Sequence, residues 1–210
     1  ATAVVDRVLL PDAPGENQMR STSVLAAVAV LATIACGGSS PTSPSGSGSG
    51  GGGGTLNVRL TDSPYGSAKA VLVTFSEVSA HKDGDWKKVP FAGGGSTRTC
   101  DLKKLQNSAQ DVLGTGAIEP GAYTMIRLQV QSAKIFFDNS AVSATPCAAS
   151  IPEPAGASSA LTIPSGEVKL NGSYTVTGTA ATTMLLDYDG EASIHQNGNS
   201  YTMTPVVRIV

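Results

Sequence analysis

The stretch Thr55-Leu56-Asn57-Val58-Arg59-Leu60-Thr61 alternates apolar and polar side chains one by one. A period of two is typical of a β-strand with one buried face, because successive side chains point to opposite faces of a sheet. The same period returns at residues 71–75, 126–130, 174–177 and 184–189. These repeats predict an all-β domain.

Turn signals separate the strands. Asp83-Gly84 and Asn197-Gly198 predict tight hairpins, since both dipeptides accept the positive φ that such turns need. Counting segments between turns gives eight or nine short strands. We therefore predict an antiparallel β-sandwich, with an immunoglobulin-like or transthyretin-like Greek key, rather than a barrel, because no long repeat indicates closure.

Three local features interrupt the strand pattern. The inward parity slips after Phe75, which predicts a β-bulge at Ser76-Glu77. Pro205 lies within the final strand, Tyr201 to Val210, and predicts an edge or a bulge there, because proline cannot donate to a sheet ladder. The one helix candidate is Leu102 to Gln106, about one turn long.

A short apolar run precedes the domain. Met19-Arg20 supplies a positively charged start, and Val24 to Ile34 follows without a charge. As a helix this run would span only about 16 Å, against a hydrocarbon core of about 30 Å. It predicts a cleaved signal peptide at residues 19–36, whereas residues 1–18 lack periodicity and are predicted to be a non-native or disordered leader.

The end of that signal resembles the lipobox of bacterial lipoproteins. The tetrad is Thr33-Ile34-Ala35-Cys36, with Thr33 where leucine is usual. The resemblance implies a palmitate-bearing lipid anchor on Cys36, and therefore a membrane-attached protein of the cell envelope. The residue after the cysteine is Gly37 and not aspartate. In a bacterium with two membranes, the resemblance then implies sorting to the outer membrane, with the domain in the periplasm or at the cell surface.

A glycine-rich segment joins the signal to the domain. Residues 37–54 are almost wholly Gly, Ser, Pro and Thr, a composition typical of a flexible tether. The domain is predicted over residues 55–210. Cys100 and Cys147 lie within it, and an exported domain meets oxidising conditions, so we predict a disulfide between them.

Three motifs, in order, resemble the bacterial family of domains of unknown function numbered 4382. They are Leu60-Thr61-Asp62-Ser63-Pro64, the stretch from Pro120 to Leu128, and Leu186-Asp187-Tyr188-Asp189. The resemblance covers Thr55 to Val210. Since the family has no established activity, it implies a lipoprotein-type domain and no mechanism.

Acidic residues are the recurring polar feature at the strand ends. Asp62 follows one strand, and Asp187, Asp189 and Glu191 lie at the end of another. Carboxylates are the ligands that Ca²⁺ prefers, so one hypothesis is a calcium site built from Asp62, Asp187 and Asp189. The competing interpretation is that Asp62 caps a turn and that the others lie on a solvated face.

Aromatic and imidazole groups offer two further candidates. Trp86, with Tyr65 and Phe91, could provide a platform for a glycan, or it could cover one end of the core. His81 and His195 are the two histidines of the chain, and ordinary surface histidines explain them best. No Gly-x-Ser-x-Gly motif is present.

Composition narrows the function classes. The formal net charge is -2 without a basic patch, which excludes nucleic acid as the expected partner. The sequence favours a non-catalytic module for binding or structural support, with a glycan or an envelope protein as partner and no cofactor. The alternatives are a calcium-stabilised adhesion or glycan-binding module and an envelope hydrolase with an acidic site.

Overall fold

The computed structural model describes residues 53–210, and the predicted signal peptide, Cys36 and almost all of the predicted tether lie outside them. The described part contains thirteen strands and two one-turn helices. The strands are β1 (Gly54–Ser63), β2 (Ala70–Lys82), β3 (Asp85–Val89), β4 (Arg98–Asp101), β5 (Asp111–Ile118), β6 (Gly121–Phe136), β7 (Cys147–Ala148), β8 (Ser158–Thr162), β9 (Glu167–Val176), β10 (Ala181–Asp189), β11 (Ile194–Asn197), β12 (Ser200–Met203) and β13 (Val207–Ile209). The helices are a 3-10 turn at Leu102–Lys104 and α1 (Gly190–Ser193).

The strands form two sheets, as a sandwich requires. The smaller sheet has the order β13-β10-β1-β5. The larger sheet has the order β11-β12-β8-β6-β2-β4-β7, with β3 also paired to β2 and β9 also paired to β6. The long strands β2 and β6 therefore form its centre, and each carries two shorter strands on its outer side.

The predicted all-β sandwich is confirmed, but two details of the prediction were wrong. The strand number exceeds eight or nine, because segments as short as Cys147–Ala148 hold too few residues to show a period. The sheets are mixed rather than antiparallel, since β1 pairs with β10 in parallel and β12 with β8 in parallel. Hairpin signals indicate antiparallel neighbours only. The strand β10 pairs with β1 after the chain has formed strands of the larger sheet, so no hairpin signal marks this pairing.

The local turn predictions hold. Asp83 and Gly84, with φ of 53° and 87°, join β2 to β3. Gly198, with φ of 60°, lies in the hairpin of β11 and β12. The register of β2 against β6 shifts around Phe75, next to the predicted bulge. Pro205 falls in the gap between β12 and β13, where the chain leaves the larger sheet and joins the edge of the smaller one.

The core lies between the two sheets. The apolar residues of β1, at positions 56, 58 and 60, are fully buried, and the alternate residues of β10 pack in the same layer. Burial of side chains from both sheets supplies the main stabilisation of such a fold. The sandwich thus follows from the period-two pattern that the sequence presents.

A second apolar cluster lies on the outer face of the larger sheet. It consists of Ala70, Leu72, Phe136, Ala141 and Ile151. The last two belong to the long connection between β6 and β8, so this connection covers the outer face of β2. The predicted disulfide between Cys100 and Cys147 is confirmed, and it ties the same connection to β4.

Candidate functional site

The motifs that begin and end the domain lie side by side. In the parallel ladder of β1 and β10, Thr61 pairs with Asp187, Asp62 with Tyr188 and Ser63 with Asp189. Residues paired across a ladder point to the same face of the sheet. Asp62 therefore faces inward with Tyr188, whereas Asp187 and Asp189 face outward.

Asp62 is a buried carboxyl group at the end of β1, with only 5% of the residue exposed. Its Oδ1 accepts a hydrogen bond from the backbone N–H of Gly190 at 3.1 Å. Its Oδ2 is shielded from solvent and has no hydrogen-bond partner among the described residues. Burial raises the pKa of Asp62 to about 8, and the charges of Asp187 and Asp189 act in the same direction. Asp62 is therefore a neutral acid over much of the neutral range.

The other acidic candidates have partners of their own. Asp187 accepts a hydrogen bond from Arg208 Nε at 2.8 Å. Asp189 caps α1, since its Oδ1 accepts from the backbone N–H of Ala192 at 2.9 Å. Glu191 Oε2 accepts from the backbone N–H of Gly66 at 2.8 Å.

These bonds join two loops reciprocally. Asp62, at the end of β1, accepts from Gly190 of α1, and Glu191 of α1 accepts from Gly66 in the loop after β1. We call this pair of bonds, and the backbone of residues 62–66 and 190–191 that they join, the loop clasp. A Cβ atom at Gly190 would lie 3.0 Å from the backbone nitrogen of Tyr65, so a larger residue here would require the backbone of the loop after β1 to shift.

The geometry does not gather the carboxylates that the calcium hypothesis grouped. Within residues 53–210, no group of three or more His, Cys, Asp or Glu side chains is placed to hold a metal ion. Asp62 and Asp187 do line one open cavity of about 360 Å³, together with Asn107 and Gln110. The carboxylate of Asp187 pairs with Arg208 and Asp62 is directed to the core, so the two acids do not converge on a common point.

Trp86 lies on the outer face of the larger sheet, under an arginine. The guanidinium carbon of Arg127 is 4.3 Å from the centroid of the indole ring, and the same guanidinium donates to Glu77 at 2.8 Å. The ring of His81 is 5.0 Å away, centroid to centroid. Phe91, by contrast, is buried in the core. The three aromatic side chains that the glycan hypothesis grouped thus do not form one platform.

The two histidines are apart. His81 Nδ1 is 3.0 Å from Thr124 Oγ1 on the central strands, whereas His195 is exposed on β11. Three strands, β12, β8 and β6, separate β11 from β2 in the sheet order. A joint acid–base or metal role for the pair has no geometric support.

A second buried carboxyl group escaped the sequence analysis. Asp101 is 1% exposed, and its Oδ1 accepts from the backbone N–H groups of Val71 and Lys103 at 3.1 Å each. Its Oδ2 is buried without a partner among the described residues, and burial raises its pKa. The available signal was its place directly before the predicted helical turn at Leu102, where aspartate is a common N-cap.

Comparison with known proteins gives a match to one protein family. No helix of residues 53–210 is both long and apolar enough to span a membrane. No curated protein matches the chain, and no solved structure matches it. The family described as "Domain of unknown function (DUF4382)" matches residues 53–205, which is well over half of the chain. The chain therefore belongs to the family of the domain of unknown function numbered 4382.

Proposed function

We propose that the protein is a lipoprotein of the bacterial cell envelope, attached through Cys36 to a membrane, which in a bacterium with two membranes is the outer one. Its β-sandwich then acts as a non-catalytic module for binding or structural support. The tether of residues 37–54 holds the module away from the bilayer. The partners are the membrane, through the anchor, and a component of the envelope.

The observation that carries export is the disulfide. Cys100 and Cys147 are 0% and 2% exposed, and their sulfur atoms are bonded inside the fold. Structural disulfides persist in oxidising compartments and are rare in the reducing cytosol. A buried disulfide therefore supports the same destination as the apolar run at Val24 to Ile34.

The contacts of the acidic side chains support a non-catalytic role. A general acid or base must reach a substrate proton, within hydrogen-bond distance or through one water. Asp62 is instead bonded to Gly190 and shielded from solvent, while Asp189 and Glu191 accept from the backbone N–H groups of Ala192 and Gly66. These bonds give each carboxyl group a structural task, and they support a module whose partner binds its surface.

The experiment is acyl labelling of the full chain in a bacterium with two membranes. Cys36→Ser removes the only thiol that the lipobox resemblance assigns to the anchor, so we expect loss of labelled palmitate and an uncleaved precursor. Thr33→Leu is the matched control, because it brings the tetrad closer to the usual lipobox and should retain the label. Equal labelling of Cys36→Ser and wild type would refute the anchor.

A further inference from the structure

The lysines of the domain divide into two groups. Residues 53–210 contain eight lysines, and five of them form ion pairs with carboxylates. The other three have no carboxylate of the described residues within 4.0 Å, and all three line one cavity. The paired lysines are Lys82, Lys87, Lys88, Lys134 and Lys169. The lysines of the cavity are Lys69, Lys103 and Lys104.

The cavity is open and measures about 430 Å³. It lies between the loop after β1, the 3-10 turn with the residues that follow it, and the long connection after β6, which contribute Gly66, Gln106 and Ser140 to its lining. We call it the lysine cavity. The residues around it are mainly polar, so the cavity suits a hydrated, charged group rather than an apolar one.

Two of the three ammonium groups are held in place. Lys103 Nζ donates to the backbone oxygen of Tyr65 at 3.0 Å, and Lys104 Nζ donates to that of Ser143 at 2.6 Å. An ammonium group carries three N–H donors, so each retains two for a ligand. Asp101 fixes the backbone of the same turn, because its Oδ1 accepts from the N–H of Lys103.

The carboxyl groups near the lysine cavity do not pair with its lysines. Asp101 lines the cavity, but its Oδ1 accepts from backbone N–H groups and its Oδ2 has no partner among the described residues, and burial raises its pKa. Glu191 is bonded to the backbone N–H of Gly66 at the rim. Three lysines thus line one cavity, and none of them has a carboxylate of the described residues within 4.0 Å.

We propose that the lysine cavity binds a tetrahedral divalent oxyanion, a phosphate or sulfate group, through the ammonium groups of Lys69, Lys103 and Lys104. Lysine binds phosphate as a point charge, and several lysines around one site favour a doubly charged anion over a single carboxylate. The proposal rests on the binding role proposed above, but it is independent of the lipid anchor.

The test uses the full chain as purified from cells and inorganic phosphate as the probe. Binding is measured by calorimetric titration at low salt. The triple variant Lys69→Gln, Lys103→Gln, Lys104→Gln should weaken phosphate binding by about tenfold or more, since each lost cation removes a close charge contact. The matched control is Lys87→Gln, Lys134→Gln, Lys169→Gln, which changes the net charge equally and should bind as wild type does.

Four outcomes are informative. Saturable binding that only the first triple variant loses supports the lysine cavity. Equal loss in both triple variants overturns it. Because Lys103 and Lys104 also bond backbone oxygens, Lys69→Gln alone is measured as well, and it must weaken binding while unfolding at the wild-type midpoint. An unchanged affinity of Lys69→Gln for phosphate overturns the proposed site.

The source of the anion is distinguished by a second arm. Vesicles that contain phosphatidic acid present the same phosphate group on a lipid. Vesicle binding that the first triple variant abolishes identifies a headgroup, whereas binding of inorganic phosphate alone identifies a soluble anion. Either result supports the lysine cavity, and failure of both overturns it without touching the assignment of Cys36.

Discussion

At the scale of single residues, Asp62 links stability to pH. Its unfolded pKa is near 3.8, and burial in the folded domain raises the pKa to about 8. Between these values the folded state holds a proton that the unfolded state has lost. The stabilising contribution is therefore complete below pH 4 and is lost as pH rises through 8, at up to about 1.4 kcal/mol per pH unit.

Asp62→Asn should remove most of that pH dependence, because asparagine keeps an acceptor for Gly190 and does not ionise. Urea unfolding at pH 5, 7 and 9 measures it. We expect wild type to lose stability across this series and the variant to lose less, with part of the remaining slope from Asp101, whose pKa is raised by burial as well. Asp85→Asn, which alters an exposed carboxylate, is the control. Parallel curves for wild type and Asp62→Asn would contradict the assignment.

At the scale of elements, the loop clasp joins the ends of β1 and β10. Gly190 sits where a Cβ atom would lie 3.0 Å from Tyr65 N and 3.2 Å from Ser63 O, both of them backbone atoms. At Gly66 the nearest atom is 3.6 Å away and belongs to the side chain of Glu191. The two glycines of the clasp therefore differ in what they tolerate.

Gly190→Ala should destabilise the domain by about 1–3 kcal/mol, the usual cost of forcing an extra methyl group into packed structure. Gly66→Ala should change the free energy of unfolding by no more than about 0.5 kcal/mol, as at an ordinary exposed position. Chemical denaturation of both variants measures the difference. Equal costs at the two positions would show that the clasp is not tightly packed.

The pattern of the elements was largely predictable, and the pattern of the site was less so. The period of two correctly predicts that Leu56, Val58 and Leu60 are buried, and it also predicts that Asp62 lies on the same inward face. The calcium hypothesis used the shared parity of Asp187 and Asp189 but did not compare it with that of Asp62, which pairs with the buried Tyr188 and lies on the opposite face. Parity is local information, and it was available.

Long-range pairing was not available from the sequence. The parallel ladder of β1 and β10 joins Thr55 to Ala181, and no turn signal links residues so far apart. The lysine cavity depends on the same kind of information, because Lys69 and Lys103 belong to different connections. Only the fold brings those charges together.

At the scale of the whole molecule, the disulfide connects β4 of the larger sheet to the connection that covers the outer face of that sheet. Its two cysteines are 47 residues apart. Closing a loop of that size stabilises the folded state by about 4 kcal/mol on the chain-entropy account. The covalent link thus contributes a large share of the stability expected for one domain.

The double variant Cys100→Ala, Cys147→Ala should therefore lower the free energy of unfolding by about 4 kcal/mol. Urea denaturation with and without reductant measures this loss. Reductant should bring wild type to the level of the variant and leave the variant unchanged. A reductant-insensitive midpoint for wild type would contradict a stabilising disulfide.

The proposed anchor and location depend on where the exported chain begins and what its first residue carries, and intact mass spectrometry of the protein extracted from membranes measures both. We predict a mature chain that starts at Cys36 with fatty acyl groups attached, and a mass consistent with one disulfide. A chain that starts at another residue, or a Cys36 without acyl groups, would contradict the proposed anchor and the location that follows from it.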